Sequence, residues 1–312
     1  MPLSDGRGYM SNALNVLMDP ILPVFAITVI GFALGRSGRL STGDARVINR
    51  FAMTVLVPIL LFRIVTGAPL EQFSFLPVLM YALVQAFVFA GGFILATRIF
   101  QRGARESVLL AFSGIFANNA FYVLPISIFV YGESGVLPVT AIIALDATIS
   151  FALVTMALQI MNVGAISPGA VMRSIGGSPI LLSLIAGLAF VALGLSVPKS
   201  VETFLNFNGN AAAPVGLFAL GVVLSSTTFR AETVVVAFSA IKLVLFPALI
   251  WGALAIFVPS AGDKSQFVLA AAGPAGAMGF SLALLHGVRT DAIAQVVVWT
   301  SILTLLSLSL LA

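Results

Sequence analysis

The chain has 312 residues, 60% of them hydrophobic and 8% charged, a mean hydropathy of +1.14 and a formal charge of +4. Ordinary soluble domains carry ~25% charged residues, so this composition belongs to a membrane chain rather than a soluble fold. With no Cys and a single His, disulfide stapling, thiol catalysis and a zinc cluster are excluded. The basic residues are scattered through loops between apolar runs and do not form a nucleic-acid footprint.

A span needs ~20 apolar residues to cross a hydrocarbon core ~30 Å thick. Ten candidate spans follow in chain order. The first repeat holds Val16 to Gly35, Val47 to Thr66, Phe75 to Thr97, Ser107 to Tyr131 and Val136 to Asn162. The second holds Ile175 to Leu195, Asn208 to Ser226, Thr233 to Val258, Ser265 to Leu285 and Ala292 to Leu311. Asp5 and Arg7 precede the first run without a basic signal-peptide start or a small-residue cleavage site, so that run reads as a retained span.

Basic residues collect on the cytoplasmic side of short loops. Placing the N-terminus outside puts Arg36, Arg39, Arg46, Arg50, Arg98, Arg102, Arg105, Arg173, Arg230 and Arg289 inside, against Arg7, Lys199 and Lys264 outside. An even span count then returns the C-terminus outside, so both termini are expected to be non-cytoplasmic. The membrane expected is a bacterial inner membrane.

The spans also repeat. Asp19-Pro20 in span one matches Ser178-Pro179 in span six, and Pro58 and Phe62 in span two match Pro214 and Phe218 in span seven. Span four runs through Asn118, Asn119 and Pro125, span nine through Gly273 and Pro274, and the offset stays near 155 to 160 residues. Five spans per repeat is an odd number, which inverts the second half relative to the first. The fold class expected is therefore an all-α polytopic membrane protein. Its ten transmembrane helices form two inverted five-helix repeats over residues 1–162 and 175–312, joined by a short cytoplasmic connection at 163–174. Such repeats with interrupted segments at equivalent places point to a secondary transporter.

Two interruptions carry the chemistry. Pro125 has no amide hydrogen and clashes with the carbonyl of Phe121, which predicts a disruption beside the Asn118 and Asn119 amides. Around Gly273-Pro274 span nine offers only backbone groups and half-helix ends, whose N-termini favour anions. The alternative there is a packed small-residue helix with a proline kink. Ionisable residues inside spans are rare and face partners, cavities or ion paths. Asp146 lies well inside span five, with Thr148 and Ser150 read as off its face, and Lys242 lies inside span eight. The two are candidates for coupling or charge compensation, against a structural ion pair. Gln85 on span three is a secondary polar candidate. Arg63 is read as snorkelling, and His286 as a boundary histidine.

The Asn118-Asn119-Ala-Phe121 segment leading to Pro125, together with Gly273-Pro274-Ala275, resembles the auxin efflux carrier family, including its bacterial malonate-transporter-like members. The resemblance spans the chain through span count and spacing. It implies crossed broken helices four and nine at a substrate site formed by Asn118, Asn119, Pro125, Gly273 and Pro274. It further implies a scaffold of helices 1, 2, 6 and 7 and a transport domain of helices 3–5 and 8–10. The partner expected is a small organic anion, a mono- or dicarboxylate, moved by alternating access in the lipid bilayer, and a homo-oligomer is compatible with the chain. No cofactor and no metal are expected. Proton coupling is available through Asp146 or Lys242. Sodium coupling is disfavoured, because span nine lacks the acidic residue and nearby glutamine of the related bile-acid symporters. The alternative from another class is a membrane-embedded sensor or assembly protein that retains the fold. A membrane enzyme lacks a nucleophile-base pair.

Overall fold

The computed structural model describes residues 26–67, 74–133, 136–163, 179–226, 231–259 and 264–311, with residues 169, 176–177 and 262 between them. The Asp19-Pro20 start of span one, most of the connection at 163–174, Ser178 and Arg230 lie outside the described residues. Among the described residues the regular structure is helical, with one isolated bridge between Ala117 and Ala275.

The helices are α1 Ala26–Arg36, α2 Thr42–Gly67, α3 Phe75–Ile99, α4 Ala104–Ile115 and α5 Asn119–Tyr131, then α6 over 137–163. They continue with α7 Pro179–Ala192, α8 Lys199–Ser225, α9 Thr233–Phe257, α10 Lys264–Ala272, α11 Met278–Leu285 and α12 Asp291–Leu311. Among the described residues each predicted span overlaps helix, and spans four and nine are each divided into two pieces. Among the described residues four helices are long and apolar enough to cross a membrane by length and composition: α2, α3, α8 and α9. Large apolar side chains such as Phe87, Phe207, Trp251 and Ile256 point outward. In an integral membrane protein such a surface faces lipid, which solvates it without cost.

Local chemistry sets several ends. Ser41 and Asp44 form a reciprocal capping box at the start of α2, with Ser41 N donating to Asp44 Oδ2 at 2.8 Å and Asp44 N donating to Ser41 Oγ at 3.2 Å. At the same end of the molecule Arg102 bridges Glu106 at 3.2 Å and Glu232 at 3.0 Å, tying the start of α4 to the start of α9.

Packing places α7 and α8 against the second half of α2, where Gly187 meets Val65 and Gly209 meets Leu60. α1 crosses α8 so closely that a Cβ on Gly221 would stand 2.0 Å from the Thr28 carbonyl oxygen, a contact only glycine permits. On the other side, α3 and α9 meet through an edge-on pair of Tyr81 and Phe246 with ring centroids 5.4 Å apart.

The predicted boundary of span seven is corrected. α8 begins at Lys199, nine residues before Asn208. Asn206 and Asn208 lie in helix and Asn210 in the short turn that joins the two pieces of α8, and each has a partner. Asn208 donates to the Phe204 carbonyl, while Asn206 and Asn210 accept from Arg63. Arg63 itself does not snorkel. It is 7% exposed and also pairs with Glu133 at 2.8 Å.

Candidate functional site: a crossing of two broken helices above a polar floor

α4 ends at Ile115, and the chain turns extended at Phe116, where φ is −80° and ψ is 117°, before helix resumes at Asn119. α10 ends at Ala272 and α11 starts at Met278. The two extended segments pair antiparallel: Asn118 N donates to the Pro274 carbonyl at 2.8 Å, and Gly276 N donates to the Phe116 carbonyl at 3.0 Å. Backbone groups freed by leaving the helix thus satisfy one another across the crossing, as an apolar surrounding requires. Ala275 N donates to Thr300 Oγ1 at 3.0 Å, which anchors the crossing to α12.

The first break lies at Phe116 to Asn118, beside the Asn118 and Asn119 amides where the sequence placed it, but Pro125 is not its cause: the helix runs through Pro125 without interruption. The missing amide of Pro125 is accommodated by a widened π turn over Asn119–Val123, in which Leu124 N donates back to the Asn119 carbonyl. Gly273 is required by proximity: a Cβ there would stand 2.4 Å from Val123 Cγ2.

A cavity of about 1370 Å³ reaches this crossing. Asn118, Asn119, Phe121 and Asp146 line its inner part, with Gly276 to Met278 opposite, and Arg46, Arg50 and Arg289 stand toward its mouth. Asn119 is 3% exposed, and neither its Nδ2 nor its Oδ1 has a hydrogen-bond partner. Its side chain neighbours the Asp146 carboxylate. An amide buried with both ends unmet costs about 1–3 kcal/mol per group, a cost usual at sites that await a ligand or water.

Asp146 opens a second π turn over Asp146–Ser150. Its Oδ1 accepts from Gln85 Nε2 at 2.7 Å and lies 3.1 Å from Ser150 Oγ, while Oδ2 is buried without a partner. Ser150 therefore lies on the face of Asp146, contrary to the sequence reading. Positions four apart in a helix share a side.

Lys242 is wholly buried in a third π turn, Ile241–Leu245. Its Nζ donates to the Ala271 carbonyl at 2.6 Å and lies 5.1 Å from the Phe246 ring centroid. It caps the negative end of half-helix α10, and it feels Asp146 through space without direct ion-pair contact.

Of the residues singled out from sequence, Asn118, Asn119 and Asp146 line the cavity. Gln85 buttresses Asp146, Gly273 and Pro274 form the backbone crossing, and Lys242 and Pro125 stand behind it. Sequence reasoning missed Thr300 and the partners of Arg63. Thr300 looks like an ordinary helix threonine, and Arg63 is joined to residues far away in sequence.

The family model described as "Membrane transport protein" matches residues 16–312. A Rhizobium meliloti protein named "Putative malonate transporter" is 24% identical over 242 residues, 76% of each chain. A Methanothermobacter thermautotrophicus protein named "Uncharacterized transporter" is 24% identical over 298 residues, covering 94% of this chain and 96% of its own. An Escherichia coli K12 protein, also named an uncharacterized transporter, is 23% identical over 290 residues, 89% and 90% of the two chains. These relatives are named as transporters and not as enzymes. With its match covering nearly the full length, this chain belongs to the membrane transport protein family, the auxin efflux carrier family.

Proposed function

We propose that the protein is a secondary transporter that moves a small mono- or dicarboxylate by alternating access, with Asn119 as the main polar contact and Asp146 as the proton carrier. The observation that carries this reading is the Asn119 amide, buried with donor and acceptor both unmet, beside the Asp146 carboxyl group, whose Oδ2 is also unmet. A carboxylate offers only acceptors. It takes the Nδ2 donors of Asn119 and the first-turn amides of α5 and α11, whose dipoles favour an anion.

Oδ1 of Asn119 then needs a donor, and a protonated Asp146 supplies one through Oδ2. An ionised Asp146 instead repels the bound anion. Proton and anion therefore bind more tightly together than apart, a linkage that yields symport when both leave on the other side.

The pairing at the crossing supports two inverted repeats. The bridged residues Ala117 and Ala275 stand 158 residues apart, within the offset of about 155 to 160 residues at which the sequence repeats. In this reading α1, α2, α7 and α8 are the scaffold and the remaining helices move. The arginine-rich mouth faces the cytoplasm of a bacterial inner membrane, with both termini outside. The name of the Rhizobium relative makes malonate the first compound to test.

The experiment is uptake of labelled malonate and other two- to six-carbon carboxylates into proteoliposomes, with proton and sodium gradients imposed separately. Uptake driven by the proton gradient and lost in N119A supports the reading. Absence of uptake for every carboxylate refutes it.

A further inference from the structure

The face away from the cavity mouth carries a second polar cluster. Arg63 lies 13 residues beyond Arg50 on α2, about 20 Å along the helix at ~1.5 Å per residue, and does not line the cavity. Its Nη1 donates to Asn206 Oδ1 at 3.0 Å and to Asn210 Oδ1 at 2.9 Å, so α8 fixes the plane of the guanidinium. Its Nη2 donates to Glu133 Oε1 at 2.8 Å, and Nε is buried with no partner.

Two features set this apart from a structural ion pair. The braces hold one edge of the guanidinium, while the remaining edge, Nη2 and Nε, is the one that carboxylates grip with two oxygens. Glu133 uses one oxygen on that edge and leaves Nε unmet. It also reaches the arginine from beyond the end of α5, with its side chain 53% exposed, whereas Arg63 is buried. A free carboxylate can satisfy both nitrogens, which the tethered one does not.

We propose that Arg63, braced by Asn206 and Asn210, is a second carboxylate-binding position on the side away from the cavity mouth. Glu133 fills it in this conformation, and the transported anion fills it when that side opens. This rests on the carboxylate-transport reading. It adds that Glu133 acts as an internal competitor. While it occupies Arg63 it also joins α2 to the chain beyond α5 and closes that side, and separating the two both opens the path and frees the guanidinium for the anion.

The chain has no cysteine, so E133C introduces a single thiol beside Arg63. Purified protein carrying E133C is labelled with a sulfonate-bearing and with a quaternary-ammonium-bearing methanethiosulfonate, and the rates are normalised to E202C, an exposed position on α8. The expected result is an about tenfold preference for the anionic reagent, the scale of electrostatic enrichment near a fixed charge. Millimolar malonate should slow that labelling, sodium chloride of equal ionic strength should not, and R63Q should abolish the preference. Equal normalised rates, or no slowing by malonate, overturn the proposal. The malonate arm needs no change at Arg63, so it stands even where R63Q does not fold. Labelling requires no transport. Protection without any uptake keeps this position and removes the transport reading, and uptake without protection does the reverse.

Discussion

Gln85 Nε2 donates to Asp146 Oδ1 at 2.7 Å, between two side chains exposed by 4% and 3%. This bond joins α3 to α6 and holds the carboxyl so that only Oδ2 is left for the site. Q85A leaves Oδ1 with Ser150 alone. It should lower the stability of the solubilised protein by about 0.5–1.5 kcal/mol, the net worth of one buried hydrogen bond. Thermal unfolding checks this, and in a D146A background the same change should cost far less, because that bond is already gone.

Lys242 serves a different end of the machinery. Its contact is the Ala271 carbonyl at the end of half-helix α10, so K242M strands that carbonyl next to the crossing. Stability should fall by about 1–3 kcal/mol. The two side chains share no hydrogen bond and act on each other only through space, so the loss should depart from additivity with that of D146N by that coupling alone. A large non-additive term in the thermal unfolding of the double variant would mean that the pair acts as one unit.

The crossing itself is tested by shape. A Cβ on Gly273 meets Val123 Cγ2 at 2.4 Å, so G273A pushes the start of α5 away from the span-nine segment at the crossing, an overpacking cost of about 1–3 kcal/mol. Uptake should drop sharply while membrane insertion persists. G273A combined with V123A removes the obstructing methyl group and should recover part of the activity. Recovery would be absent if the Gly273 requirement came from backbone freedom instead.

His286 and Asp146 differ in what their protonation should do to transport. His286 follows α11, and partial burial, then the charge of Arg105, holds its pKa below the usual 6.5. Its neutral form is the one the fold favours, so it stays uncharged above about pH 6.5 and is protonated only as the pH falls further. H286N should therefore leave the pH profile of uptake near neutrality unchanged. D146N should flatten that profile and remove its dependence on the proton gradient, which uptake assays at fixed and imposed pH read directly.

The helices were legible in the sequence because lipid enforces long apolar runs, and that signal is local. It failed where polar groups are satisfied by distant partners. The asparagines of α8 depressed hydropathy although Arg63, 143 and 147 residues from Asn206 and Asn210, pairs with them. The same distance hid the role of Arg63. Pro125 and Gly273-Pro274 marked the two interrupted spans correctly. The first break falls beside Asn118 and Asn119 as read, but its cause was not legible, because it is set by pairing with Pro274 and Gly276 rather than by the proline. Asp146 stood out as a lone charge in an apolar run. That Ser150 and Gln85 converge on its Oδ1, leaving Oδ2 bare, depends on a π turn and on a neighbouring helix.

The most direct measurement compares carboxylate uptake by the native chain and by N119A in proteoliposomes under an inward proton gradient. Insertion and monodispersity of the two are matched. A hydrogen bond to a charged group is worth about 1.5–3 kcal/mol, so N119A should transport about 10- to 100-fold more slowly at low substrate concentration. Uptake by N119A equal to that of the native chain for every transported carboxylate would contradict the account.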